Sequence, residues 1–229
     1  MSREQIEQVA AALRLFHHYG EPIELRRKMP DWTNAAGKKH KGAVECAWFP
    51  DAQSAAREAV MLDQSGKYVA LWHGVNPRNV PASRCDQKWG GAGGKAEDIA
   101  VRRFLFLDFD RSKDNDRFAT EEELFACRAV RTAVVAFLSE QGWGYPLLIL
   151  SANGCHAFYA LNGLSNTEDD EKRVVRLYAS LSEVFATDAV KIDLSVKDIA
   201  RVAAIPWTHS RKFNGEPRCV VLETEAWPG

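Results

Sequence analysis

Along the 229-residue chain the spacing of apolar positions changes repeatedly, and each change marks an element. Ile6, Val9, Ala10, Leu13 and Phe16 recur at helical spacing behind a Ser2–Gln5 capping box, which predicts an opening helix stopped by Gly20. "EPIELRRKM" and "GAVECAWF" read as strands, Asp51 caps a helix running to about Gln64, and "KYVALWHGV" is another strand. From Asn76 to Glu97 periodicity gives way to prolines, glycines and basic residues, so a long mobile loop is expected. An apolar strand, "IAVRRFLFLDFD", then leads through a polar turn, "RSKDNDRFA", to a helix capped by Thr120 with Glu123 and ended near Gly142. "YPLLILS" and "CHAFYAL" are two strands joined by the turn triplet "ANG". An amphipathic helix from about Asn166 to Phe185, a short strand "AVKIDLS", a helical turn in "VKDIARV" and a late strand "PRCVVLE" complete the chain. This order predicts a mixed α/β architecture.

Composition narrows the classes. A 46% hydrophobic content suffices to fill the core of one domain. No apolar run approaches the roughly 20 residues of a membrane span, and "MSREQIEQ" lacks the basic start and apolar centre of a signal peptide. A cytoplasmic protein is therefore expected, with no membrane partner. The five cysteines are scattered without a C-x-x-C pair, which predicts reduced thiols and no zinc. With 30 basic and 31 acidic residues, any polyanion must be met by a local patch.

The candidate chemistry starts at "FLFLDFD". Alternation along a strand puts Asp108 and Asp110 on one face and Leu107 and Phe109 on the other. Two carboxylates that close repel each other and lose hydration, so either solvent screens them or a cation neutralises them. A solvated turn is the plainest reading. A calcium loop fails on spacing, because its sixth position would be Lys113 and its twelfth Ala119. A phosphatase of the haloacid dehalogenase kind fits the pairing of "FLFLDFDRS" with "LLILS", but Arg111 stands where glycine is preferred there and His156 has no role. Further along, "SANGCH" sets His156 just after a tight turn, and "DLSVKDIARV" puts Asp193 at a strand end with Arg201 downstream, followed by Arg211 and Lys212.

The ordered set resembles the archaeo-eukaryotic primase superfamily, in particular the primase-polymerases of plasmids, phages and other mobile elements. "FLFLDFD" matches its first motif, "SANGCH" its Ser-x-x-Gly-x-His motif, and "DLSVKDIARV" its third; the likeness covers most of residues 20 to 215. Asp198 departs from the usual asparagine, and Trp207 in "IPWT" replaces a glycine-containing form. The resemblance implies an RNA-recognition-motif-like catalytic sheet (99–229) packed against an amino-terminal α/β module (1–98), with the active cleft between them. It implies a DNA-directed nucleotidyltransferase that makes and extends primers on single-stranded DNA from NTP or dNTP. Two Mg²⁺ or Mn²⁺ ions would sit at Asp108, Asp110 and Asp193, with His156 as the fourth catalytic residue. Ser151, Asn153, His156, Arg201, Arg211 and Lys212 would face the nucleotide. Template contacts fall to Arg26, Lys39, Lys88 and Trp89, whose basic and aromatic character suits single strands. Many members carry a helicase or accessory domain downstream, which would make such a module a partner. A non-catalytic single-strand-binding module is the remaining alternative.

Overall fold

Helix α1 (Arg3–Arg14) begins where the Ser2 side chain accepts the amide of Gln5. It stops short of Gly20 because Leu15 and Phe16 turn back through three-residue bonds to Ala12 and Leu13. Phe16 leaves the helical path to pack on Phe104 and Phe158, at ring separations of 5.2 and 5.0 Å. Tertiary packing thus overrides local periodicity there. The computed structural model describes residues 2–113, 116–213 and 216–224, so the polar turn read over "RSKDNDRFA" lies partly outside the described residues.

The first sheet holds β1 (Ile23–Lys28), β4 (Val44–Phe49) and β5 (Ala70–Gly74), with a small hairpin, β2 (Trp32–Thr33) and β3 (Lys39–His40), projecting between β1 and β4. Helix α2 (Ala52–Ser65) starts on Asp51 and ends on Gly66, whose φ of +64° lies in the left-handed region that lacks a penalty for glycine. The alternation of β1 buries Ile23 and Leu25 beneath Val9, Leu13, Ala55 and Ala59 of the two helices.

The second sheet is built from β6 (Val101–Arg111), β7 (Leu147–Leu150), β8 (Gly154–Ser165) and β9 (Val190–Ile192), with helices α3 (Glu121–Glu140) and α4 (Glu168–Phe185) between them. Two further strands join the sheets: β10 (Val202–Ala204) and, after the short pair β11 (His209–Ser210) and β12 (Arg218–Cys219), β13 (Val221–Leu222). Every pairing is antiparallel, in the orders β10-β5-β1-β4 and β13-β7-β8-β6-β9. From β6 to β9 the second sheet follows the βαββαβ order of split βαβ folds, with β6 and β8 at its centre. Leu105, Leu107 and Phe109 share one core with Cys127, Val130 and Val134 of α3 and Tyr178 and Leu181 of α4. The opposite face of β6 carries Phe106, Asp108 and Asp110 into a cleft against the first sheet.

Three expectations are revised. A division at residue 98 does not separate the sheets, since β10 from the carboxy-terminal half pairs with β5. "PRCVVLE" forms two short strands in different sheets, because Val220 between them donates to Thr208 and Trp207 donates to Val220. The segment expected to be a mobile loop is tied down. Gly94 N donates to Glu24 (2.9 Å), Trp48 donates to Ala92 O (3.1 Å), and Gly91 bridges to Cys46. A Cβ at Gly94 would lie 2.9 Å from Arg78 Nε and 3.0 Å from Glu24 Oε2, so this glycine serves close approach rather than freedom. No helix among the described residues is long and apolar enough to cross a membrane.

Candidate active site

The β6–β8 register sets Asp108 directly opposite His156 and Asp110 opposite Gly154. Facing residues of an antiparallel pair share a face, so the histidine and both acids point into the same cleft. Gly154 is required there: a Cβ would stand 2.2 Å from the Phe109 carbonyl oxygen and 2.7 Å from Asp110 Oδ1. The "SANG" turn is closed by Ser151, whose Oγ accepts Gly154 N at 3.0 Å and whose amide donates to Gly154 O at 3.0 Å. Asn153 Oδ1 accepts Ala119 N at 3.0 Å, so this side chain also anchors the segment leading into α3.

The cleft has a volume of about 230 Å³ and runs between Ala70–Trp72 with Val202–Ala204 on one side and the acid-bearing face of β6 and β8 on the other. Ser151, Asn153, His156, Arg201 and Lys212 line it, as do Asp108 and Asp110. His156 is 6% exposed and opens onto this cleft, with Phe106 packed edge-on against its ring at 5.0 Å. Its Nε2 lies 3.4 Å from Asp108 Oδ1, yet that oxygen and His156 Nδ1 have no hydrogen-bond partner among the described residues.

Burial dominates the electrostatics. Desolvation, then the neighbouring charge of Asp193, lifts the Asp108 carboxyl to about 7, against the opposing pull of Arg201, Lys191 and Lys212. Desolvation and Asp108 lift Asp110 to about 6, and burial lowers His156 to about 4, leaving a neutral imidazole at pH 7. The two carboxylates are short of positive charge where they stand.

Asp193 follows β9 beside them, and its amide donates to Asp108 O at 2.9 Å. Its carboxylate turns instead to Ser195, accepting from both N and Oγ at 2.8 Å, with Arg201 Nη2 3.8 Å away. The three acids therefore do not form one closed ligand set, and no group of three or more His, Cys, Asp or Glu among the described residues is arranged to hold a metal. Asp108 and Asp110 nevertheless fit a hard cation, because an unpartnered buried carboxylate oxygen beside a second acid is the donor type such an ion takes.

The loop after Asp193 is gripped through its carbonyls. Asn76 Nδ2 donates to Ile199 O (3.0 Å), Arg78 Nη2 to Ala200 O (2.9 Å), Arg102 Nη2 to Lys197 O (2.7 Å) and Val75 N to Arg201 O (3.1 Å). Asn76 Oδ1 also accepts the amides of Arg103 and Phe104, at the irregularity where β6 begins its run to the acids. One buried side chain thus ties the acid-bearing strand to the arginine-bearing loop. Arg78 is itself fixed by a fully buried ion pair with Glu24 at 2.9 Å. The signal for this clasp was "VNPRN", placed directly after a strand. Asp198 Oδ1 accepts Ala200 N at 2.9 Å, a turn bond that asparagine makes equally well. Trp207 adopts φ +66°, a left-handed backbone conformation that favours glycine.

Other assignments are not brought to the cleft. Arg211 pairs with Asp63 at 3.0 Å and lies over the Tyr68 ring, because a buried carboxylate on α2 claims its guanidinium. Arg26 bonds Glu24 (2.6 Å) and Gly94 O (3.1 Å) as part of the packed loop. Trp89 is half-buried, donating to Glu58 at 2.8 Å beneath Arg27. Lys88 and Lys39 are exposed; Lys39 sits on the β2–β3 hairpin, where Trp32 stacks on His40 at 4.3 Å. Sequence reasoning passed over His209, Trp72 and Phe118, all of which line the cleft.

Comparison with known proteins finds no matching family model and no matching curated protein. Among solved structures the chain is similar in fold to the crystal structure of primase RepB′, with a TM-score of 0.48 and 12% identity over 96% of this chain. The match covers 56% of that protein, so the chain spans a little over half its length. An identity this low carries no residue roles across.

Proposed function

We propose that the chain is a DNA-directed nucleotidyltransferase of the primase-polymerase type, synthesising and extending primers on single-stranded DNA. The observation that carries this reading is the pairing of Asp108 with His156 across β6 and β8, beside Asp110, in a cleft that also receives Arg201 and Lys212. Anionic and cationic side chains share one slot there. Phosphoryl transfer asks for little covalent help, but it needs opposed charges held around in-line oxygens.

Asp108 and Asp110 would hold Mg²⁺ or Mn²⁺, with Asp193 adding its charge to the same patch. Such ions supply positive charge to the transferring phosphate and lower the pKa of an attacking hydroxyl. Arg201 and Lys212 offset the charge of the triphosphate. His156, neutral and walled by Phe106, presents a short polar edge to the phosphates without adding charge. The Asn76–Arg78 clasp keeps Arg201 at a fixed distance from β6. Lys39 and the exposed Trp32–His40 stack provide a basic, aromatic approach for template, whose binding would weaken steeply with salt.

The test is to incubate the whole chain with unprimed single-stranded DNA, labelled nucleotides and Mn²⁺, beside Asp108→Ala/Asp110→Ala. Template-dependent products lost in the double variant are expected; products that persist would refute the site. Phosphate release from small esters without template would identify a phosphohydrolase. Salt-sensitive DNA binding indifferent to nucleotide and metal would identify a binding module.

A further inference from the structure

The cleft contains a second oriented histidine. His209 Nδ1 lies 2.8 Å from Asp63 Oδ2 and its backbone amide donates to Asp63 Oδ1 at 2.9 Å, so the ring and its chain are fixed by one carboxylate. Asp63 is 4% exposed and immobilised in turn. Tyr68 donates its hydroxyl to Oδ1, Arg211 Nη1 donates to the same oxygen at 3.0 Å, and Arg211 Nη2 donates to the Asp63 carbonyl at 2.8 Å. Gln5 Nε2 reaches Oδ2 at 3.3 Å. Burial opposes the Asp63 charge, but bonds from Tyr68, His209 and Arg211 outweigh it and hold the carboxyl below its ordinary range. The acid is therefore a fixed anion behind the ring.

With Nδ1 committed to Asp63, Nε2 is the ring nitrogen left to bind a ligand. It takes no protein partner among the described residues, the side chain is 37% exposed, and His209 lines the same cavity as Arg201, Ser210 and Lys212. Asp63 cannot face the cleft itself, since its oxygens are spent on Tyr68, Arg211 and His209.

We infer that His209 binds the polyphosphate of a nucleotide, its Nε2–H donating to a non-bridging phosphate oxygen while Asp63 holds the ring, with Arg211 and Tyr68 as the braces of Asp63. This deepens the proposed function and rests on it. Arg211 enters the site only through Asp63, as a positioning residue, and His209 takes the phosphate contact that the "RK" pair suggested for its neighbour.

The experiment titrates inorganic tripolyphosphate, a nucleoside triphosphate and the matching nucleoside into the whole chain by calorimetry, for the unaltered protein, His209→Ala and His209→Gln. Loss of a charge-assisted hydrogen bond corresponds to about ten- to a hundredfold in affinity. His209→Ala is expected to weaken both phosphate ligands by that factor and leave the nucleoside unchanged, with His209→Gln between, since its amide can still donate. Thermal melts check folding; should the alanine variant not fold, the glutamine variant decides alone. Phosphate ligands bound equally by all three proteins overturn the role of His209 and leave the proposed function standing. An unaltered protein that binds neither phosphate ligand overturns the proposed function as well.

Discussion

Removing the charge of Asp108 should stabilise the metal-free protein at alkaline pH. The Asp108 carboxyl is raised from 3.8 to about 7, first by burial and then by Asp193. Between those values the native state holds a proton that the unfolded chain has released, so stability falls as pH rises across that window. At 1.36 kcal/mol per tenfold step, the penalty at pH 8 approaches about 4 kcal/mol. The side chain keeps 16% exposure, and its coupling to Asp110 divides the effect, so about 2–4 kcal/mol is the working range. Asp108→Asn cannot ionise and escapes the penalty. In EDTA at pH 8 the variant should melt about 4–16 °C above the unaltered protein. Near pH 4.5 the gap should shrink to about 1 kcal/mol or less. Comparing the two proteins at each pH isolates Asp108 from the buried His17 and His73, whose lowered pKa values weaken the fold in acid in both. Adding Mn²⁺ at pH 8 should raise the melting temperature of the unaltered protein and leave that of the variant nearly still. An unaltered protein at least as stable as the variant at pH 8, or a gap independent of pH, would refute the reasoning.

Other outcomes follow from packing and bonding. Gly154→Ala drives a Cβ to 2.2 Å from Phe109 O, which must part the β6–β8 pair at the acids; a loss of about 1–3 kcal/mol in chemical denaturation and of nucleotide incorporation is expected. Asn76→Ala leaves the amides of Arg103 and Phe104 and the Ile199 carbonyl without their partner, and should lower stability by about 2–4 kcal/mol in urea titration. In a double-mutant cycle on nucleotide affinity, Asn76→Ala and Arg201→Ala should be less than additive, since the first acts by loosening the second. Arg211→Ala should lower the melting temperature through loss of the Asp63 pair, and additive effects with His209→Ala on tripolyphosphate binding would contradict its bracing role.

What was legible in the sequence was local. The period-two pattern of "FLFLDFD" gave the face of Asp108 and Asp110, and "SANGCH" announced a tight turn before a strand, because both signals are complete within a few residues. The capping residues Asp51 and Thr120 marked the helix starts found in the fold for the same reason. Partnership across the chain was not legible. Arg211 and Lys212 are adjacent and equally basic, and only the fold shows that an acid 148 residues away claims the first. His209 was overlooked for the mirror reason, as its orienting partner is the same distant Asp63. The glycines of 90–94 misled because the composition that frees a loop also permits close packing, and the choice depends on the buried Glu24–Arg78 pair beneath them. Asp193 was placed on the right strand end, but its neighbour Ser195 supplies a short-range alternative for the carboxylate.

The strand swap between the sheets bears on how the slot can move. The polypeptide passes from one wall to the other between Gly74 and Val101, between Ile192 and Val202, and between Ala204 and Val221. A pair of lobes joined by one linker can swing like a jaw, whereas walls stitched at three places resist rotation about any single axis. Opening and closing around a substrate is thereby left to side chains and to the turns at the rim.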